Sequence, residues 1–255
     1  MDSSIRILHV DDDPEFASLT AEFLEREDDR FIVTTEHGPA DGRERLESDE
    51  FDCIVSDFDM PGESGIAFLE TVRADYPDIP FILFTGKGSE EVASDAISAG
   101  VTDYLQKQSG TAQYDLLTNR IRRAVDQRRS EQYARHQDRQ YRELFDQAPI
   151  MYVLVRDERG WPIIEDCNDR FLRKLGYDRE EVVGRPTTDF FADDSAADVY
   201  GGGGYERALA GEFDIEQRTL LTADGDRIET LLRATPRLDA RGEVIGVQTL
   251  YLDVT

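Results

Sequence analysis

Lysine is almost missing from this chain of 255 residues, which carries only Lys87, Lys107 and Lys174. Arginine supplies the rest of the positive charge, and 55 acidic against 29 basic residues leave a formal net charge of −26. The acids are spread through both halves rather than gathered in a tail. Without a basic footprint, direct binding to nucleic acid is disfavoured. Cysteine is nearly as scarce. Cys53 and Cys167 are too few for a disulfide framework and lack metal-ligand spacing, so both are expected as reduced thiols, Cys53 as a small core residue. No run of about 18 apolar residues is present, which argues against a membrane span. The N-terminal MDSSIRILHV has no basic stretch leading into a long apolar segment, so no signal peptide is expected and the default location is cytoplasmic.

What is present divides in two. The first half alternates short apolar runs, at 5–10, 31–35, 51–56, 80–84 and 102–106, with amphipathic stretches at 14–26, 39–48, 64–75, 89–99 and 112–127. This pattern predicts a five-stranded parallel sheet covered on both faces, an α/β doubly wound domain over residues 1–125. From Ile121 to Tyr141 the chain has helix formers, no Gly or Pro and a thin apolar stripe, which predicts a polar helical linker centred on 126–142. Residues 143–255 change character. MYVLVRDERGWPIIED reads as a hairpin turning at 157–160, helical patterns follow at 168–175, 178–184 and 196–210, and three longer strands close the chain from 213 onward. An α+β unit with an antiparallel sheet follows. The glycine run Gly201 to Gly204 suggests no role.

In an open α/β sheet, ligands bind beyond the carboxyl ends of the strands. There the first half gathers Asp11, Asp12 and Asp13 after strand 1, Asp57 after strand 3, Thr85 at the end of strand 4 and Lys107 after strand 5. Crowded carboxylates repel one another unless a cation holds them, and Mg²⁺, which takes one or two carboxylates, several waters and a phosphate oxygen, suits Asp12 and Asp57 with help from Asp11. Phosphoryl transfer then requires an in-line nucleophile and positive charge around the equatorial oxygens. Asp57 is placed as nucleophile, Lys107 as charge, Thr85 as hydrogen-bond donor. Asp13, before Pro14, fits a helix N-cap instead.

The segments HVDDDPE, SDFDMPGESGIAFLE, FTGKG and AGVTDYLQK resemble the signature segments of response-regulator receiver domains, with a flavodoxin-like fold. The resemblance implies Asp57 as phosphoacceptor, Asp11 and Asp12 as the acidic pair, the backbone carbonyl of Asp59 as a further Mg²⁺ ligand, and Thr85, Tyr104 and Lys107 as switch and phosphate-binding residues. It also implies a histidine kinase or phosphotransfer protein as phosphodonor. One departure is visible: such domains usually carry proline after the lysine, where this chain has Gln108. A non-proline cis bond costs about 3 kcal/mol, so a trans loop is expected here, with a displaced lysine as its consequence.

ELFDQAPIMYVLV, CNDRFLRKLGYDREEVVGR and the closing strands resemble a PAS domain over residues 143–255. All three histidines, His9, His37 and His136, precede that stretch, which argues against haem, and the segment after Gly184-Arg185 lacks the cysteine a flavin adduct requires. No ligand is implied; a sensor, docking or dimerisation module is expected, with a homodimer and a downstream protein partner. The sparse lysine and diffuse acidity resemble proteins of salt-loving archaea, whose charge keeps them soluble where salt screens self-repulsion.

The leading expectation is a two-component response regulator rather than an enzyme, beyond its own phosphorylation and autodephosphorylation. Two other readings compete. The chain could be the front of a larger sensor kinase or regulator whose output domain is missing, although His136 lacks the context of a phosphoacceptor histidine. SDFDMPG also has the Asp-x-Asp of haloacid-dehalogenase-type phosphatases, but there the acidic pair follows the nucleophile and here Asp11 and Asp12 precede it.

Overall fold

A computed structural model describes residues 4–86, 90–200 and 203–255. Lys87 and Gly88 of FTGKG, Ser89 at the expected start of a helix, and Gly201 and Gly202 of the glycine run lie outside the described residues. The chain divides into two compact units, Met1–Arg135 and His136–Thr255.

The first unit alternates β1 (Ile5–Val10), α1 (Pro14–Glu27), β2 (Phe31–Glu36), α2 (Pro39–Ser48), β3 (Cys53–Ser56), α3 (Gly65–Asp75), β4 (Phe81–Thr85), α4 (Glu90–Ser98), β5 (Asp103–Gln106) and the beginning of α5 (Ala112–Gln147). All strand pairs are parallel, in the order β2-β1-β3-β4-β5. The central strands read as unbroken apolar runs because both their faces are covered. Ile5, Ile7, Cys53, Val55 and Ile82 pack with Leu24 of α1 and Leu117 and Ile121 of α5. Leu8, Val10, Ile54 and Leu83 point the other way, onto Leu46 of α2 and Phe68 and Leu69 of α3. The expected strand at 51–56 begins only at Cys53, because the Asp52 carboxylate turns to accept the Arg6 N–H at 2.9 Å.

Helix α5 runs unbroken for 36 residues and takes in both the amphipathic stretch expected at 112–127 and the polar stretch after it. Within the first unit it is pinned by arginines. Arg122 Nε reaches Asp28 Oδ2 at 2.6 Å, Arg129 Nη2 reaches Asp52 Oδ1 at 3.0 Å, and Arg135 Nη1 reaches Asp78 Oδ2 at 2.9 Å. The three acids lie in the loops that lead into β2, β3 and β4. Exposed pairs such as Arg135 with Asp78 contribute little, whereas Asp28 is buried and bound by both Arg30 and Arg122.

The second unit comprises β6 (Met151–Glu158), β7 (Trp161–Cys167), α6 (Asp169–Leu175), α7 (Arg179–Val182), a 3₁₀ turn (Thr187–Phe190), α8 (Asp193–Tyr200), α9 (Gly204–Ala210), β8 (Glu216–Leu221), β9 (Arg227–Leu238) and β10 (Val244–Asp253). Its sheet is antiparallel throughout, ordered β7-β6-β10-β9-β8. Val153, Val155, Ile164 and Tyr251 of the sheet pack against Phe171, Leu175 and Val182 of the helices. Arg159 and Gly160, at φ 56° and 87°, make the tight hairpin turn that joins β6 to β7. The single helix expected over 196–210 is instead two, α8 and α9. Gly203 enters α9 at φ 66°, a left-handed conformation that glycine adopts without steric cost.

Asn168 holds three segments of this unit together. It is fully buried; its Oδ1 accepts the N–H groups of Tyr152 (3.0 Å) and Phe171 (3.1 Å), and its Nδ2 donates to the carbonyls of Phe145 (3.0 Å) and Ile150 (2.9 Å). Replacement by alanine removes all four bonds; the Phe171 N–H keeps the backbone carbonyl of residue 168 at 3.0 Å, and the other three groups lose their side-chain partner.

Two outcomes follow from these contacts. Asn168→Ala should lower the stability of the second unit by about 3 kcal/mol in chemical denaturation, the cost of stranding buried backbone groups. The Arg30 and Arg122 guanidinium groups hold the Asp28 carboxyl well below the usual carboxylate range. A depressed folded-state value gives stability that is complete above the unfolded-chain value near about 4 and declines as the pH falls below it. Urea unfolding compared at about pH 5 and about pH 3 should therefore show a smaller acid loss for Asp28→Asn than for the unaltered chain.

Candidate functional site

The strand order reverses direction between β1 and β3, which opens a crevice at the carboxyl end of the sheet. The chain delivers its acids there. Asp11 follows β1, with its N–H donating to the Glu36 carbonyl at 3.0 Å, and Asp57 follows β3, with its N–H donating to the Val10 carbonyl at 2.8 Å. These backbone bonds fix both residues to neighbouring strands. Asp11 is fully buried, Asp57 nearly so, and Asp12 is exposed. One carboxylate oxygen of each lies within 4.8 Å of the others, a cluster of hard oxygen donors able to hold a metal ion.

Lys107 enters from β5. Its backbone N–H donates to the Thr85 carbonyl at 2.7 Å, and its ammonium lies 2.7 Å from Asp11 Oδ2 and 3.2 Å from Asp57 Oδ2. No peptide bond among the described residues is cis, so the lysine reaches both carboxylates through a trans bond to Gln108. The displacement expected from the missing proline does not occur. Gln113 explains this: its Oε1 accepts the Gln108 N–H at 2.9 Å while its Nε2 donates to the Gly110 carbonyl at 3.0 Å, which closes the loop with a side chain.

Burial pushes the Asp11 carboxyl above its ordinary range, and the Asp57 charge adds to that, while the hydrogen bond and charge of Lys107 oppose it. Asp57 Oδ1 accepts the Phe58 N–H at 2.7 Å, which leaves Oδ2 facing the ammonium. Asp13 caps α1 as expected: its Oδ1 accepts the N–H groups of Glu15 (3.0 Å) and Phe16 (3.1 Å), while its own N–H donates to Asp11 Oδ1 at 3.1 Å. Thr85 is fully buried at the end of β4. Asp59 is exposed, two residues beyond Asp57 in the loop before α3. Tyr104 is half-buried beside the Leu83 and Phe68 cluster, and its phenol is held above its ordinary value by burial.

Three residues touch this site without having been singled out in the sequence. His9 is fully buried two positions before Asp11, with Nε2 3.8 Å from Asp11 Oδ2; burial first, and Lys107 second, lower its value to about 3, so it stays neutral. Strand alternation from Ile5 and Ile7 would have placed it on that face. Phe16 lies under the Lys107 ammonium, 4.3 Å from ring centroid to Nζ. Gly65 opens α3 where a Cβ would stand 2.1 Å from the Asp57 carbonyl oxygen, a demand of three-dimensional packing with no local sequence signal.

In the second unit a small cavity of about 40 Å³ lies between sheet and helices, lined by Phe191, Tyr205, Arg218, Thr249 and Tyr251 among others. That volume suits one or a few water-sized molecules. Cys167 is buried and its thiol is pushed up to about 12, chiefly by burial. No helix among the described residues is long and apolar enough to cross a membrane.

Residues 7–121 match the response regulator receiver domain family, and residues 149–255 match a PAS domain family. The bacterioopsin transcriptional activator of Halobacterium salinarum is 28% identical over 192 residues, covering 71% of this chain and 28% of that protein. The C4-dicarboxylate transport transcriptional regulatory protein DctD of Rhizobium meliloti is 30% identical over 129 residues, 51% of this chain and 27% of that one. Both are named as regulators of transcription rather than as enzymes, and this chain spans less than a third of either. A CheY-like receiver domain from Methanospirillum hungatei, solved by crystallography, shares 29% identity over 51% of this chain and 99% of its own, with a TM-score of 0.46. The chain is thus a response-regulator receiver domain followed by a PAS domain.

Proposed function

We propose that this chain works as a two-component response regulator in which Asp57 accepts a phosphoryl group from a histidine kinase or phosphotransfer protein. The observation that carries the reading is the meeting of the Asp11, Asp12 and Asp57 carboxylates within 4.8 Å, with the Lys107 ammonium 3.2 Å from Asp57. Three acids and one lysine leave an excess of negative charge that a hard divalent cation would balance. The donor set fits Mg²⁺: Asp11, Asp12 and Asp57 would hold it, with the Asp59 backbone carbonyl as a further ligand. Bound there, the ion would neutralise charge that develops on the phosphoryl oxygens.

The protein's own groups do the remainder. Asp57 Oδ2 attacks phosphorus in line, the bond from phosphorus to the donor breaks (P–N when the donor is a phosphohistidine, P–O when it is acetyl phosphate), and the leaving group departs with the bonding pair. Phe58 N–H fixes the rotamer of the nucleophile through Oδ1. Lys107 transfers its contact from Asp57 to a phosphoryl oxygen, and the Thr85 hydroxyl donates to another. A new dianionic group at the end of β3 then shifts Thr85 and Tyr104, one buried and one half-buried on adjacent strands.

In this reading the receiver spans residues 1–125, the helical segment 126–142 relays its state, and the PAS module at 143–255 serves sensing or dimerisation. The homodimer, a downstream protein partner and a cytoplasmic, salt-rich setting belong to the same proposal. No cofactor is proposed for the PAS module.

Intact mass after incubation with acetyl phosphate and Mg²⁺ should show a gain of one phosphoryl group, labile to base, that is absent from Asp57→Ala and abolished by chelation. A gain that persists in Asp57→Ala would overturn the assignment. Gly65→Ala should slow the reaction by about tenfold, since it displaces the backbone that aims the nucleophile.

A further inference from the structure

Lys107 is the one long, flexible side chain among the assigned groups, and its aliphatic stem has many rotamers from which the ammonium would miss the phosphoryl oxygens. Two carboxylates hold it in the structure, Asp11 at 2.7 Å and Asp57 at 3.2 Å. Both are themselves committed to the reaction. When phosphate and a metal ion arrive, the carboxylates change partners and the lysine loses the anions that aimed it. Something indifferent to that exchange has to keep it in place.

We propose that Phe16 is a positioning residue for Lys107, holding the ammonium over the site through the face of its ring. Nζ lies 4.3 Å from the Phe16 centroid and 6.0 Å from that of Phe84, and the two rings contact each other at 5.8 Å. The ring face attracts a cation electrostatically and covers it from water, and neither property changes when carboxylates trade partners. The ring is aimed in turn. The Asp13 cap accepts the Phe16 N–H at 3.1 Å, and Asp13 N–H donates to Asp11 Oδ1 at 3.1 Å, so the acid that binds the lysine and the ring beneath it share one backbone anchor. Phe84 backs the ring from β4, one residue before Thr85. The Gln113 bonds that close the loop after Lys107 fix the backbone, while Phe16 fixes the far end of the side chain.

The inference rests on the reading of Asp57 as phosphoacceptor, and its test has an arm that does not. In the full chain, Phe16→Leu should slow phosphorylation by acetyl phosphate by about fivefold, and Phe16→Tyr, which keeps the ring face, should restore the rate to within about twofold. In a Lys107→Ala background Phe16→Leu should have no further effect, because the ring acts through the ammonium. An equal slowing in both backgrounds, or an unaltered rate in Phe16→Leu, would refute the proposal. The second arm uses the three lysines of the chain, whose side-chain methylene signals can be resolved after lysine-selective ¹³C labelling. The Lys107 ε-protons should lie upfield in the unaltered protein and in Phe16→Tyr, and return to the free-lysine position in Phe16→Leu. If the unaltered chain takes up no phosphate, the Asp57 assignment fails and this shift alone decides the Phe16 contact; an unshifted Lys107 signal would end it.

Discussion

The ion pair between Lys107 and Asp11 is the constraint on which the receiver half depends. Asp11 is fully buried at the end of a central strand, and an unpaired carboxylate there would cost more than any neighbouring packing could return. Its partner comes from the far end of the domain sequence, at 2.7 Å. The contact can form only when β1, β3, β4 and β5 lie side by side in the correct order, so the chemistry of the rim and the topology of the sheet require each other. Asp57 gains its position through the same arrangement, since its N–H is tied to the strand that carries Asp11.

In a chain with three lysines, one is spent on this contact and another, Lys174, pairs with Asp253 near the end of β10 at 2.5 Å. Arginine performs most of the other ion pairing, as at Asp28 and at Arg179, where Asp146, Asp166 and Asp169 converge on one guanidinium. The division follows from geometry. A planar fork suits several carboxylates at once, whereas a compact ammonium on a long stem suits a site in which the cation must exchange partners.

Much of this was legible in the sequence, for physical reasons that differ from element to element. The runs IRILHV and PFILF read as strands buried on both faces, and Asp11, Asp12, Asp57, Thr85 and Lys107 were marked by falling at strand ends. The Asp13 cap followed from Pro14. What escaped depended on tertiary partners. The helical run of α5 was legible to Tyr141 from its helix formers, but the pairing of its arginines with acids distant in sequence was not, because such pairs leave no periodic apolar signal. The break between α8 and α9 falls at the glycine run, where Gly203 takes a left-handed conformation before α9. Phe16 looked like an ordinary apolar residue of an amphipathic helix, and only the position of Lys107 above it gives it another meaning. Gln108 suggested a displaced lysine, and the Gln113 side chain that prevents this lies five residues away with no motif to announce it.

The arginines along α5 have a mechanical consequence. Arg122, Arg129 and Arg135 stand seven and six residues apart and meet acids in three successive loops at the amino end of the sheet, away from Asp57. Seven residues is close to two full turns, so Arg122 and Arg129 project from nearly one side of the helix, while the six-residue step turns Arg135 about 120° away from them. A slip of one residue would move the helix by about 1.5 Å and rotate it by about 100°, which would draw all three guanidinium groups away from their acids together. Gradual sliding is therefore closed to this helix. Within the receiver it is either seated in register or lifted out, and the depth of seating is graded from the buried Asp28 slot to the exposed Asp78 slot. Release would begin at the Asp78 end, as a zip opens from its loose end, with the Asp28 pair the last to part.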